Sequence, residues 1–136
     1  MSVGISSAGN IEQTSYTKTK NKGDKMDKKY IPPKAAVINA TLGLKLRSKY
    51  HRGGLSIKEA LKQGIDSGVT RAHQIISEKP LSIEIIKKMA RFNRHRKNFR
   101  PEIKLKDGGP TAGTIAWLLW GGDEGINWAL NFKDTP

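Results

Sequence analysis

The sequence predicts an all-α fold: a compact bundle of about five short helices with a Trp-rich C-terminal helix pair, behind a disordered basic N-terminal arm. Three observations predict it. From Lys34 onward apolar residues recur at three- and four-residue steps, the period of a helix with one buried face. Capping residues and glycine or proline breaks interrupt that pattern at short intervals. All three tryptophans lie between residues 111 and 132, within a segment nearly free of basic residues, where a core would gather them.

The expected boundaries are a flexible basic arm over 1–33 and a single helical domain over 34–133. A chain of 136 residues has room for one modest core. Without cysteine it has neither a disulfide framework nor thiolate zinc ligation. The longest apolar run, Ile115 to Trp120, is far short of the ~20 residues that span a bilayer. The N-terminus lacks the apolar block of a secretory signal, so a soluble protein that does not contact membrane is expected.

Charge is the dominant global feature. Twenty-five Lys and Arg stand against twelve Asp and Glu, a net of +13. The excess is concentrated in residues 35–106, which hold seventeen basic and five acidic groups, whereas residues 107–136 are net negative. Such a field favours polyanions, nucleic acid before anionic membrane.

Residues 1–30, rich in Ser, Thr, Asn, Gly and Lys, show too little periodic apolar surface to offset the entropy of ordering. Pro32 and Pro33 close this arm and suit a helix start. From Lys34 to about Tyr50, Ile38, Leu42 and Leu46 are read as the buried stripe, with Lys45, Arg47 and Lys49 opposite. Gly53 is the expected left-handed cap. Ser56 and Glu59 have capping-box spacing, and Gly64 ends that short helix. Asp66 or Ser67 starts the next, with Val69, Ala72, Ile75 and Ile76 inward and Pro80 beyond its end.

Ser82 is the expected cap of a helix over 83–96, with Leu81 stapling onto Ile86. Ile85, Met89 and Phe92 line one face of it, and Lys87, Arg91 and Arg94 another. The run "RFNRHRKNFR" adds Arg96, Lys97 and Arg100, with Phe92 and Phe99 interleaved. Arginine forks match phosphate geometry, and like charges so dense repel until a counter-charged ligand relieves them. Gly108 to Pro110 make a turn, Thr111 a cap, and Thr114 to Trp120 a helix apolar nearly all round. After Gly121 and Gly122, Asp123 is the expected cap of a last helix with Ile126, Ala129 and Leu130 inward and Trp128 in a second row. A helix-turn-helix reader is disfavoured, because that last helix carries one lysine, Lys133, at its end.

The motifs "RGG", "GIDSGVTRAHQI", "LSIEIIKKMARFNRH" and "DGGPTAGTIAWLLWGGDEGINWA" together resemble a family of small proteins and appended modules encoded by tailed bacteriophages and prophages, often among head and structural genes. The resemblance covers roughly residues 42–130. In that family an acidic residue usually follows the Arg-His pair; here Arg96 follows His95, which makes this stretch more positive. The family is mostly without an assigned activity. The resemblance implies a phage origin and a partner among packaged DNA, a capsid component or a host factor. It implies action in the host cytoplasm during infection, or in the virion.

An enzyme is not expected. His51, His73 and His95 are the only histidines and show no ligand-pair spacing; His95 with Glu102 and Asp107 is the one combination resembling a nuclease cluster. There is no phosphate loop with its lysine and no recognisable nucleophile setting, and no metal or cofactor is expected. The candidate nucleic-acid-binding residues are Lys87, Lys88, Arg91, Arg94, Arg96, Lys97 and Arg100, with Arg47 and Arg52. The candidate core is Ile85, Met89, Phe92, Ile115, Trp117, Leu118, Trp120 and Trp128. The leading expectation is sequence-independent phosphate binding. The alternatives are a head or assembly protein that binds an acidic protein surface, and an inhibitor of a host nucleic-acid enzyme.

Overall fold

The structure, a computed structural model, describes residues 28–133. Its elements are α1 (Lys34–Tyr50), α2 (Ile57–Gln63), α3 (Gly68–Ile76), α4 (Ile83–Arg91), a 3-10 segment (Phe92–Asn98), α5 (Ala112–Leu119) and α6 (Gly122–Leu130). The fold is all-α, with six α-helices and no strand among the described residues. None of these helices is long and apolar enough to cross a membrane. The arm expected over 1–33 lies outside the described residues as far as residue 27. Its last part is described and packs: the Leu81 N–H donates to the Tyr30 carbonyl at 3.0 Å, and the Tyr30 ring lies 5.1 Å from that of Phe132.

Local signals start the helices. The Ser56 hydroxyl accepts from the Glu59 N–H at 3.1 Å while the Glu59 carboxylate accepts from the Ser56 N–H at 2.9 Å, a complete capping box. Ser67, Ser82 and Thr111 accept from the N–H groups of Thr70, Ile85 and Thr114. Two expected caps lie elsewhere. Helix α1 ends on His51, itself left-handed at φ 56°, whose N–H returns to the Arg47 carbonyl. Gly53 instead lies against α5, where a Cβ would come within 2.4 Å of Ile115. Gly121, at φ 107°, precedes α6, so Asp123 falls within the first turn and its carboxylate accepts the Trp117 indole N–H at 2.9 Å.

Helix α5 is the centre. Ile115, Trp117, Leu118 and Leu119 are buried along it, and α1, α3, the 3-10 segment and α6 all pack on it. Met89 and Ile86 of α4 join this core, with Ile85, Phe92 and Trp128 partly buried at its margin. The buried face of α1 is not the one its large apolar residues suggested. Ala36, Ala40 and Gly43 are buried, whereas Ile38 is 62% exposed and Leu42 44% exposed. The reason is close approach: a Cβ on Gly43 would stand 2.9 Å from the Leu119 backbone nitrogen. Only a face of small side chains lets the two backbones come so near. Leu130, expected inward on α6, is likewise 46% exposed, and Ile126 and Ala129 hold that face.

This division yields opposite outcomes for two neighbouring positions. Ile38→Ala should leave stability within about 0.5 kcal/mol. Gly43→Val, which forces side-chain atoms against the α5 backbone, should cost about 1–3 kcal/mol or more. Urea unfolding of the two variants measures both; a silent Gly43→Val beside a destabilising Ile38→Ala would reverse the assignment of the buried face.

Candidate nucleic-acid interface

The basic stretch does not continue as one α-helix. At Arg91 the backbone tightens to a 3-10 helix that runs to Asn98. With three residues per turn, side chains at i and i+3 eclipse, so the residues fall into three rows. Arg91, Arg94 and Lys97 form an exposed row, and Arg100 follows just past the segment, after Phe99 turns extended. Phe92 and His95 form a second, partly buried row. Asn93, Arg96 and Phe99 form a third, which turns toward Trp117 and α6.

The rows separate cations that sequence spacing had grouped. Arg96 is held by the fold: its guanidinium donates to Asn93 at 2.8 Å and Asn127 at 2.6 Å, pairs with Asp123 at 3.4 Å, and lies 5.0 Å over the Trp117 ring. Arg52 is bidentate to Asp107 at 2.8 and 3.0 Å and donates to the Pro110 carbonyl, which ties the end of α1 to the turn before α5. That pairing, with the Gly109 N–H, holds the Asp107 carboxyl down at about 2. Arg47 donates to the Gly53 carbonyl at 2.9 Å. These three arginines are thus tied to neighbouring loops or helices by their own hydrogen bonds.

Lys87, Arg91 and Lys97 remain exposed, and their side chains make no hydrogen bond or ion pair among the described residues. Arg94 makes one bond, to the Arg91 carbonyl. Arg100 has the Lys97 carbonyl and a long 3.6 Å contact to Glu102. Lys88 pairs with Asp66 at 3.3 Å. Histidine and carboxylates do not converge: Asp107 and Glu102 are taken by Arg52 and Arg100, and no metal-holding group of three His, Asp or Glu occurs among the described residues.

Beside the exposed row lies a cleft of about 480 Å³ between α4 with the 3-10 segment and the turns at 54–55 and 64–68. Lys88, Arg91, Arg94 and His95 line one side, Leu55 and Ile65 the other, and Asp66 is its one carboxylate. Phe92 and Trp120 lie within it, stacked at 4.2 Å with planes 3° apart, and the His95 ring is tilted by 50° against Phe92 at 4.8 Å. Partial burial, then the neighbouring Arg94 and Lys97, push the His95 imidazole below its usual range.

Arg71 belongs to this region and was not among the expected residues. It is 3% exposed, paired with Asp66 at 3.1 Å, hydrogen-bonded to Gln74, and set 4.7 Å over the Trp120 ring, with its Nε unpartnered. Burial lowers its affinity for the proton, and Asp66 opposes that effect. One signal pointed to it: Gly68, Arg71, Ala72 and Ile75 have the spacing of a single helix face. No family model, curated protein or solved structure matches the chain, so the meaning of this surface rests on its own geometry.

The pairing separates the arginines by their effect on stability. Arg96→Ala, which removes a three-partner brace and a cation–π contact, should cost about 1–2 kcal/mol. Arg91→Ala and Arg94→Ala should each stay within about 0.5 kcal/mol in the same urea titration. His95 gives a pH dependence. Because folding lowers the His95 proton affinity, the unfolded chain takes up that proton first. His95 therefore supports folding above the ordinary histidine value, and that support falls as pH drops through it. His95→Gln should flatten this part of the stability–pH curve; an unchanged slope would show that neither burial nor the neighbouring Arg94 and Lys97 disfavours the charged ring.

Proposed function

We propose that this protein is a phage-encoded, non-enzymatic nucleic-acid-binding protein that grips phosphates along the exposed cation row with little sequence preference. One observation carries the reading: Arg91, Arg94 and Lys97 form a single edge, continued on α4 by Lys87 and followed in the chain by exposed Arg100, and three of these five cations have no side-chain partner among the described residues. Phosphates spaced along a strand would relieve the repulsion within that edge, and guanidinium forks suit them. Phosphate contacts position a protein without reading bases, so affinity should be steeply salt-dependent and similar across sequences. The phage origin is that of the family it resembles.

The test is fluorescence anisotropy of labelled oligonucleotides at several salt concentrations. Binding should weaken steeply with salt. Replacing Lys87, Arg91 and Lys97 together by Ala should reduce the log–log salt slope by about 0.7–0.9 for each phosphate no longer neutralised. Absence of binding at low salt would overturn the reading and leave the cation row for an acidic protein surface, such as that of a capsid subunit.

A further inference from the structure

The cation row accounts for phosphates but leaves the cleft beside it without a role. Trp120 is 7% exposed and lines this cleft, yet its indole N–H makes no hydrogen bond among the described residues. Trp117 shows the contrast, since its N–H is donated to Asp123. Arg71 Nε is the one fully enclosed side-chain nitrogen without a partner among the described residues, so the Trp120 N–H meets solvent and is free to take an acceptor there.

The cleft supplies the other elements of a small planar anion's site. Its volume of about 480 Å³ lies in the range of about 300–1,000 Å³ over which clefts hold small organic ligands. The stacked Phe92 and Trp120 rings and the tilted His95 ring form an aromatic side, with Leu55 and Ile65 across from them. Arg91 and Arg94 belong both to the cleft lining and to the cation row, so the two features share an edge. The single carboxylate, Asp66, is already paired with Arg71 and Lys88.

We infer that the cleft receives one unstacked nucleotide of a single strand, its phosphate on Arg91 and Arg94, its base against the His95–Phe92 rings and an acceptor atom on the Trp120 N–H. The inference rests on the nucleic-acid reading above and adds a preference to it. A base can enter only if it leaves its stack, which a single strand permits readily and a duplex resists. The predicted ligand is therefore single-stranded DNA or RNA, with the duplex bound more weakly through the cation row alone.

Nitrogen-15 NMR of the full chain tests this. The probes are a short single strand and a blunt hairpin duplex of the same sequence, and the readout is the set of tryptophan indole N–H signals. Trp120→Phe assigns the relevant signal by its disappearance. The Trp120 signal should shift on adding the single strand and stay in place with the duplex, while those of Trp117 and Trp128 barely move. His95→Ala should reduce the preference for single strand over duplex about tenfold, within the span of one base–aromatic stack. Ile65→Glu, at an exposed position that cannot disturb the core, should reduce it as well by placing a carboxylate at the cleft wall. Equal affinity for both probes with a stationary Trp120 signal would overturn the cleft assignment and leave the phosphate reading intact. Failure of both probes to bind at low salt would overturn the two together.

Discussion

Helix α5 bears no charged side chain, and five of its eight residues are buried, so each element around it has to bring an apolar cover or a bare backbone. The rest of the fold satisfies that demand in different ways. Helix α1 answers with Ala36, Ala40 and Gly43, whose small side chains let it lie against Leu119. The turn after α1 answers with glycines: a Cβ at Gly53 or Gly54 would strike Ile115 or Leu119. The 3-10 segment contributes Phe92 against the indoles, and Phe99 follows just past its end. Helix α6 follows through Gly121 at once, and so brings Asp123 to the Trp117 N–H. Close packing of this kind has little tolerance for added volume, which is why small residues rather than large ones define the interfaces.

The same demand organises the charge. A net of +13 cannot be kept wholly away from a core with three tryptophans, and two arginines are placed directly on indole faces. Guanidinium suits that position because it is planar and weakly hydrated, and its edge stays available for carboxylates and amides. Arg96 covers Trp117 while its edge reaches Asn127 and Asp123, and Arg71 covers Trp120 while its edge reaches Asp66 and Gln74. Basic residues in this protein thus fall into two kinds. Some close the core, and others, such as Lys87, Arg91 and Lys97, have nothing in the described chain to hold them.

That division explains which features were legible in the sequence. Element order and several starts were, because caps are local: Ser56 with Glu59, Ser67, Ser82 and Thr111 each act within three residues. The centrality of Trp117 and Trp120 was also legible from an apolar run with no polar face. The buried face of α1 was not. Hydrophobic periodicity weighs Ile38 and Leu42 heavily and Ala40 or Gly43 hardly at all, although backbone proximity to Leu119, far along the chain, decides the matter. The burial of Arg71 likewise depends on Trp120, and the bracing role of Arg96 on Asp123 and Asn127, none of which is near in sequence. Nor does any glycine or proline within residues 91–99 announce the change from α to 3-10 winding.

That change of winding links the core to the proposed function. In an α-helix three residues advance the side chain by about 300°, so a row at i, i+3, i+6 slips by about 60° at each step. Arg91, Arg94 and Lys97 would then spiral around the helix, and Arg96 would leave Trp117. At three residues per turn the row does not slip, and the cations stay in line with the ring row of Phe92 and His95 directly beside them. A single strand has the same two edges, a run of phosphates and a run of bases. Tight winding sets a charged edge and an aromatic edge side by side over one short segment, and the Phe92 stack on Trp120 fixes that segment to the core. The core contact that holds the 3-10 segment in place is thereby also what orients the surface.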